Sequence, residues 1–94
     1  MHIKTTATNC HVTVNIKIEN LMLLSLVDNA EGDVSLLPGI TYRFEWFVFT
    51  ASNGGQATIE AVVSPDNTGF LPLSIDNTYP VGVKDGNVFL FTLN

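Results

Sequence analysis

Few side chains in this sequence are equipped for chemistry, and the most suggestive pair is Cys10-His11. A thiolate–imidazole couple needs both groups within hydrogen-bond reach of each other. Cys10, Val12, Val14, Ile16 and Ile18 alternate with His11, Thr13, Asn15 and Lys17, a period of two that marks a half-buried strand over Cys10–Ile18. Neighbours on a strand point to opposite faces, so Cys10 and His11 cannot form that couple. Cys10 falls with the apolar set and reads as a structural thiol. It is the only cysteine, which excludes an intrachain disulfide. His2 stands at a terminus expected to be mobile. Two histidines and one cysteine match no zinc-site spacing.

Carboxylates are the next resource. Asp28, Glu31 and Asp33 share a stretch that reads as a polar loop, Asp28–Asp33, while Asp66, Asp76 and Asp85 stand in three other turn-rich stretches. Loops at one end of a β-sandwich can converge, and their oxygens would then suit calcium. The plainer reading is that Asp favours turns because it bonds its own backbone. No EF-hand spacing is present, so calcium is the minor alternative. Glycoside hydrolysis would need a cleft around paired carboxylates, which 94 residues rarely supply. The expectation is a protein that is not an enzyme and requires no cofactor.

The aromatic residues carry more signal. Over Ile40–Ala51, Tyr42, Phe44, Trp46 and Val48 line one face and read as core, with Arg43, Glu45, Phe47 and Phe49 on the other. That second face changes from charged to aromatic halfway along. Either a bulge near Trp46-Phe47 resets the register, or the face is covered by another element or chain. Phe47 and Phe49 are therefore candidate partner contacts. Val88 and Leu90 join them from a final strand, Val88–Leu93, that is apolar on both faces and reads as central or as pressed against a neighbour. Tyr79, in a stretch Asp76–Gly82 that reads as a loop, is the candidate for stacking on a glycan ring.

The elements that must position these residues are short and β-favouring. Ile3–Ala7 reads as an edge strand, and Leu21–Val27 as a strand on length and context. Gln56–Val63 is expected to pair with Ile40–Ala51 in a hairpin about Asn53-Gly54, a tight-turn signal. Phe70–Ile75 contains Pro72, which points to an edge. Asp85-Gly86 reads as a two-residue hairpin turn. Together these predict one all-β domain over residues 1–94, a two-layer antiparallel β-sandwich of seven to eight strands, with a small β-barrel as the alternative.

Leu36-x-Pro38-Gly39-x-x-Tyr42 resembles the segment that leads into the tyrosine corner of fibronectin-type-III and other immunoglobulin-like sandwiches. The resemblance implies a Tyr42 packed at a sheet edge, its hydroxyl bonded to backbone a few residues upstream. It covers seven residues, and fifty-two residues follow it here, whereas in the fibronectin pattern most strands precede the corner. No binding residue is carried over.

Composition bounds the function. The chain is 46% hydrophobic and 14% charged, against roughly 25% charged in ordinary soluble domains. With so few charges to cover its surface, part of the apolar excess is expected to be buried against another chain. Net charge is −5, and the four basic residues Lys4, Lys17, Arg43 and Lys84 are scattered. This offers no footprint for nucleic acid. No apolar signal-peptide core follows Met1, and Leu21–Leu24 is far too short to span a bilayer, so synthesis in the cytoplasm is expected. The first expectation is a non-enzymatic structural or assembly protein with a protein partner, a homo-oligomer or part of a larger assembly. A small virion subunit of the capsid-decoration, neck or fibre kind is one such assembly. The alternative is a carbohydrate-binding, lectin-like module.

Overall fold

Alternation at a period of two builds both layers of the molecule. The computed structural model describes residues 1–50, 55–62, 73–80 and 82–92, and these contain eight strands and no helix. The strands are β1 (His2–Thr8), β2 (His11–Ile18), β3 (Leu21–Val27), β4 (Ala30–Asp33), β5 (Thr41–Phe49), β6 (Gly55–Val62), β7 (Leu73–Tyr79) and β8 (Lys84–Thr92). They form two antiparallel four-stranded sheets, ordered β4-β1-β6-β7 and β3-β2-β5-β8. Ile3, Ala57, Ile59 and Ala61 of the first sheet share one core with Val12, Val14, Ile16, Tyr42, Phe44, Trp46 and Val48 of the second. The expected sandwich forms; the sheets do not close into a barrel.

Each half of the chain is a hairpin doubled over. β2 and β3 pair in one sheet while their continuations, β1 and β4, pair in the other. The pairs β6–β7 and β5–β8 repeat the arrangement. Exchanging every strand for the one four places along turns β4-β1-β6-β7 into β8-β5-β2-β3, which is the second sheet read backwards. The halves are thus related by a topological twofold, with no repeat visible in the sequence.

Short polar residues lace the corners. Asn9 and Asp28 take positive φ, 56° and 58°, where the chain crosses between layers, a region their side chains tolerate. Asp28 Oδ1 accepts from the Val12 N–H at 3.0 Å. The Asn29 amide grips Ala7, accepting from its N–H at 3.1 Å and donating to its carbonyl at 3.2 Å. At the opposite corner, the buried Thr50 hydroxyl donates to the Pro80 carbonyl at 2.6 Å and accepts from the Val83 N–H at 3.0 Å. The Thr50 N–H also donates to the Val83 carbonyl at 3.0 Å.

The pairing departs from expectation wherever a local signal competes with this crossover plan. Ile40–Ala51 and Gln56–Val63 do not form a hairpin, because β5 and β6 belong to different sheets; Asn53-Gly54 lies outside the described residues. The Ile3–Ala7 segment is not an edge, since β1 sits between β4 and β6. Its threonines hide a central position: Thr5 is buried and donates to the Asp28 carbonyl at 2.5 Å. Asp28–Asp33 is a tight corner followed by β4 rather than a loop. No bulge interrupts β5, which keeps register with both neighbours; the irregularity falls between Ile16 and Lys17, where β2 meets β3. Asp85-Gly86 lies inside β8, and β8 is an edge strand rather than a central one. β7 is an edge as Pro72 suggested, but it runs on through Tyr79, and Phe70–Pro72 lie outside the described residues. The N-terminus is held, not loose: Met1 is buried and its amino group donates to the Val34 carbonyl at 2.7 Å.

Tyr42 is buried, stacks on Phe91 at 5.5 Å, and accepts a hydrogen bond from the Leu37 N–H at 2.7 Å through its hydroxyl. Locally this is the bond a tyrosine corner makes.

Candidate interaction face on β5 and β8

Register decides which side chains share a face. β5 pairs Phe49 with Lys84, Phe47 with Gly86, Glu45 with Val88 and Arg43 with Leu90. Directly opposed residues lie on the same side of a sheet, so these eight positions line the outer face. Phe47, Phe49, Val88 and Leu90 therefore stand together, at 49%, 40%, 38% and 67% exposure. Gly86 lets the strands close up beneath Phe47: a methyl group there would lie 2.9 Å from Phe47 Cδ1 and 2.5 Å from the Trp46 carbonyl oxygen. Lys84 Nζ sits 5.7 Å from the centre of the Phe49 ring, a cation–π contact.

Inboard of this apolar edge the face is ionic. Glu45 Oε1 lies 2.8 Å from Lys17 Nζ, and its Oε2 lies 3.2 Å from Arg43 Nε. Glu45 is nearly buried beneath its two partners. The Lys17 hydrogen bond, against the cost of burial and with Arg43 adding to it, holds the Glu45 carboxyl below its usual range. Lys17 and Glu45 meet diagonally across β2 and β5, since Lys17 is opposite Arg43 and Asn15 opposite Glu45. Only the register brings the three charges together.

The side of β8 that faces away from β5 has its own chemistry. The Gly86 N–H donates to Asp85 Oδ1 at 2.8 Å, and the Val88 N–H to Asn87 Oδ1 at 2.8 Å. Both amides thus point away from β5, and in an antiparallel ladder the amides of Leu90 and Thr92 must point the same way. Asp85 and Asn87 shield the first half of the edge, and the apolar second half follows it.

The catalytic and metal candidates disperse. Cys10 lies just before β2, half-buried, and its thiol donates to the Gln56 carbonyl at 3.4 Å. Asp28 is engaged at its corner, with His11 Nδ1 3.4 Å from its carboxylate. Among the described residues no group of three or more His, Cys, Asp or Glu is arranged to hold a metal ion. Asp66 is outside the described residues. Asp76 and Tyr79 lie in β7, not in a loop, and their side chains are outside the described set.

His2 is gathered by two carboxylates. Its Nδ1 is 2.8 Å from Asp33 Oδ1 and its Nε2 3.0 Å from Glu31 Oε2; donating to both requires the imidazolium. The Asp33 hydrogen bond, opposed by desolvation and seconded by Glu31, raises the His2 pKa above the usual 6.5. A raised folded value means the pairing stabilises fully below the unfolded pKa and is lost as pH rises through the folded one. An NMR titration should place the His2 midpoint above 6.5, and Asp33→Asn should move it down.

Thr50, Asn29 and the diagonal Lys17–Glu45 pair carry no sequence signal, because their partners are distant in the chain. The fold and this face define an all-β sandwich with a mixed apolar and ionic outer sheet. No family model matches the chain, and no curated protein or solved structure matches it.

Proposed function

We propose that this protein is a non-enzymatic assembly module that docks onto protein through the outer face of β5 and β8. One observation carries the reading: Phe47, Phe49, Val88 and Leu90 are exposed side by side, next to an edge strand with no neighbour among the described residues. Scattered apolar residues mean little, whereas a contiguous set marks an interface. Copies of the same chain are the first partner, and a larger assembly of the virion kind is a setting in which such a module serves. Light scattering across a dilution series should give a multimer, and F47S/L90S should shift it to monomer. A monomer at every concentration overturns the homo-oligomer.

A second reading rests on the shallow depression where Lys84, Asp85 and Asn87 surround Phe47. An open aromatic face rimmed by polar groups suits a sugar ring. Saturable glycan binding that F47A abolishes, in a chain that stays monomeric, would favour this lectin-like role.

A further inference from the structure

We infer that β8 pairs antiparallel with β8 of a second copy, across a twofold axis at Phe89, joining two four-stranded sheets into one of eight. This rests on the assembly reading and names its partner and register.

The edges of the molecule differ in how they resist pairing. β4 is four residues long and carries Glu31 and Asp33, and β7 has Asp76 at its middle. β3 meets its neighbour through an irregularity beside Lys17. Short, charged and irregular edges are the usual defences against strand addition. β8 is long and regular, and only its first two residues are charged: it runs nine residues in unbroken register with β5, has no proline, and confines its charges to Lys84 and Asp85. Its edge-facing amides at Gly86 and Val88 bond only to the adjoining side chains of Asp85 and Asn87, bonds that the carbonyls of a paired strand replace, and Leu90 lies beyond them and is the most exposed of the large apolar residues described.

Stacking face on face is the competing geometry. It would press two Lys17–Glu45–Arg43 groups together, each with net charge +1 from two cations and one anion, and strip them of water. Edge pairing leaves both ionic groups in solvent.

Apolar side chains meet at the join in each of the registers centred on Val88, Phe89 or Leu90, so the charged ends of the row select among them. With Val88 opposite the partner's Leu90, each row across the junction runs from Glu45 through Val88 and Leu90 to Arg43, apolar at the join and opposite in charge at its ends. Centring the axis on Val88 puts Glu45 at both ends of that row, and centring it on Leu90 puts Arg43 at both ends. The chosen register also sets Phe89 opposite its own copy, an aromatic cross-strand pair. Phe47, leaning over Gly86, faces the junction.

Disulfide trapping reads the register directly, in a C10S background. Residues opposed as a hydrogen-bonded pair have Cα atoms about 5.5 Å apart, within disulfide reach, while diagonal ones stand about 7–8 Å apart, beyond it. Mixed V88C and L90C chains should cross-link at least about tenfold faster than either alone. Separately, L90K should weaken self-association at least about tenfold while L21K, on the β3 edge, leaves it unchanged. Faster trapping of either single variant overturns the register, and self-association that survives L90K overturns the edge. If the native chain multimerises but the mixture does not cross-link, this pairing fails and the assembly reading stands. A strictly monomeric native chain removes both.

Discussion

Truncating Phe44 to alanine is expected to cost about 3–5 kcal/mol of folding stability, whereas truncating Phe47 should change it by no more than about 0.5 kcal/mol. The two phenylalanines stand three residues apart on one strand and differ in everything that matters to packing. Phe44 is fully buried and stacks on Phe89 at 5.0 Å with ring planes 10° apart. Removing it leaves a cavity between β5 and the edge strand β8, which that stack helps to hold in place. A chain of 94 residues is expected to have roughly 5–14 kcal/mol in all, so F44A sits close to unfolding. Phe47 faces outward, and its ring should matter to self-association. Urea melts at low protein concentration, where assembly adds no stability, give the folding comparison; scattering at high concentration gives the other. The assignment of inner and outer faces fails if F47A costs as much as F44A.

The contrast between these residues was legible in the sequence, because a half-buried strand displays its burial as alternation. Tyr42, Phe44, Trp46 and Val48 read as core on that ground and are buried. Phe47 and Phe49 stood out as apolar residues without an assigned neighbour. Their adjacency to Val88 and Leu90 was not legible, since it depends on a pairing between strands some forty residues apart. The same limit explains the misplaced hairpin. Asn53-Gly54 and Asp85-Gly86 have the chemistry of tight turns, and turn chemistry is a local argument. Which strand lies beside which depends on how four-strand halves cross between layers, and that is set by the joint burial of residues such as Ile3, Ile59 and Phe44. Asp28 shows the limit in a single side chain: that it reads first as a turn aspartate is a local matter, but that its carboxylate accepts the N–H of Val12 depends on the fold.

Gly86 is where the fold and the proposed interface meet, and G86A is expected to damage both. The added methyl would come within 2.5 Å of the Trp46 carbonyl oxygen and 3.3 Å of the Phe47 Cα, so relief requires backbone to move and not only the Phe47 ring. Crowding of this kind costs about 1–3 kcal/mol. Phe44–Phe89 and Tyr42–Phe91 hold the C-terminal half of β8, so the displacement should concentrate over Lys84–Asn87 and lift the start of the strand from β5. Faster amide exchange at Asn87 than at Phe91 would show that pattern. Self-association should fall with it, because the Phe47 ring loses the cleft it leans over. Gly39 supplies the contrast: its φ is +81° and nothing lies within 4 Å of a methyl placed there. G39A therefore carries only the cost of a left-handed backbone, about 1–2 kcal/mol, and should leave β8 exchange and assembly untouched. Equal effects of the two substitutions on assembly would mean that the face responds to global stability and not to the close approach at Gly86.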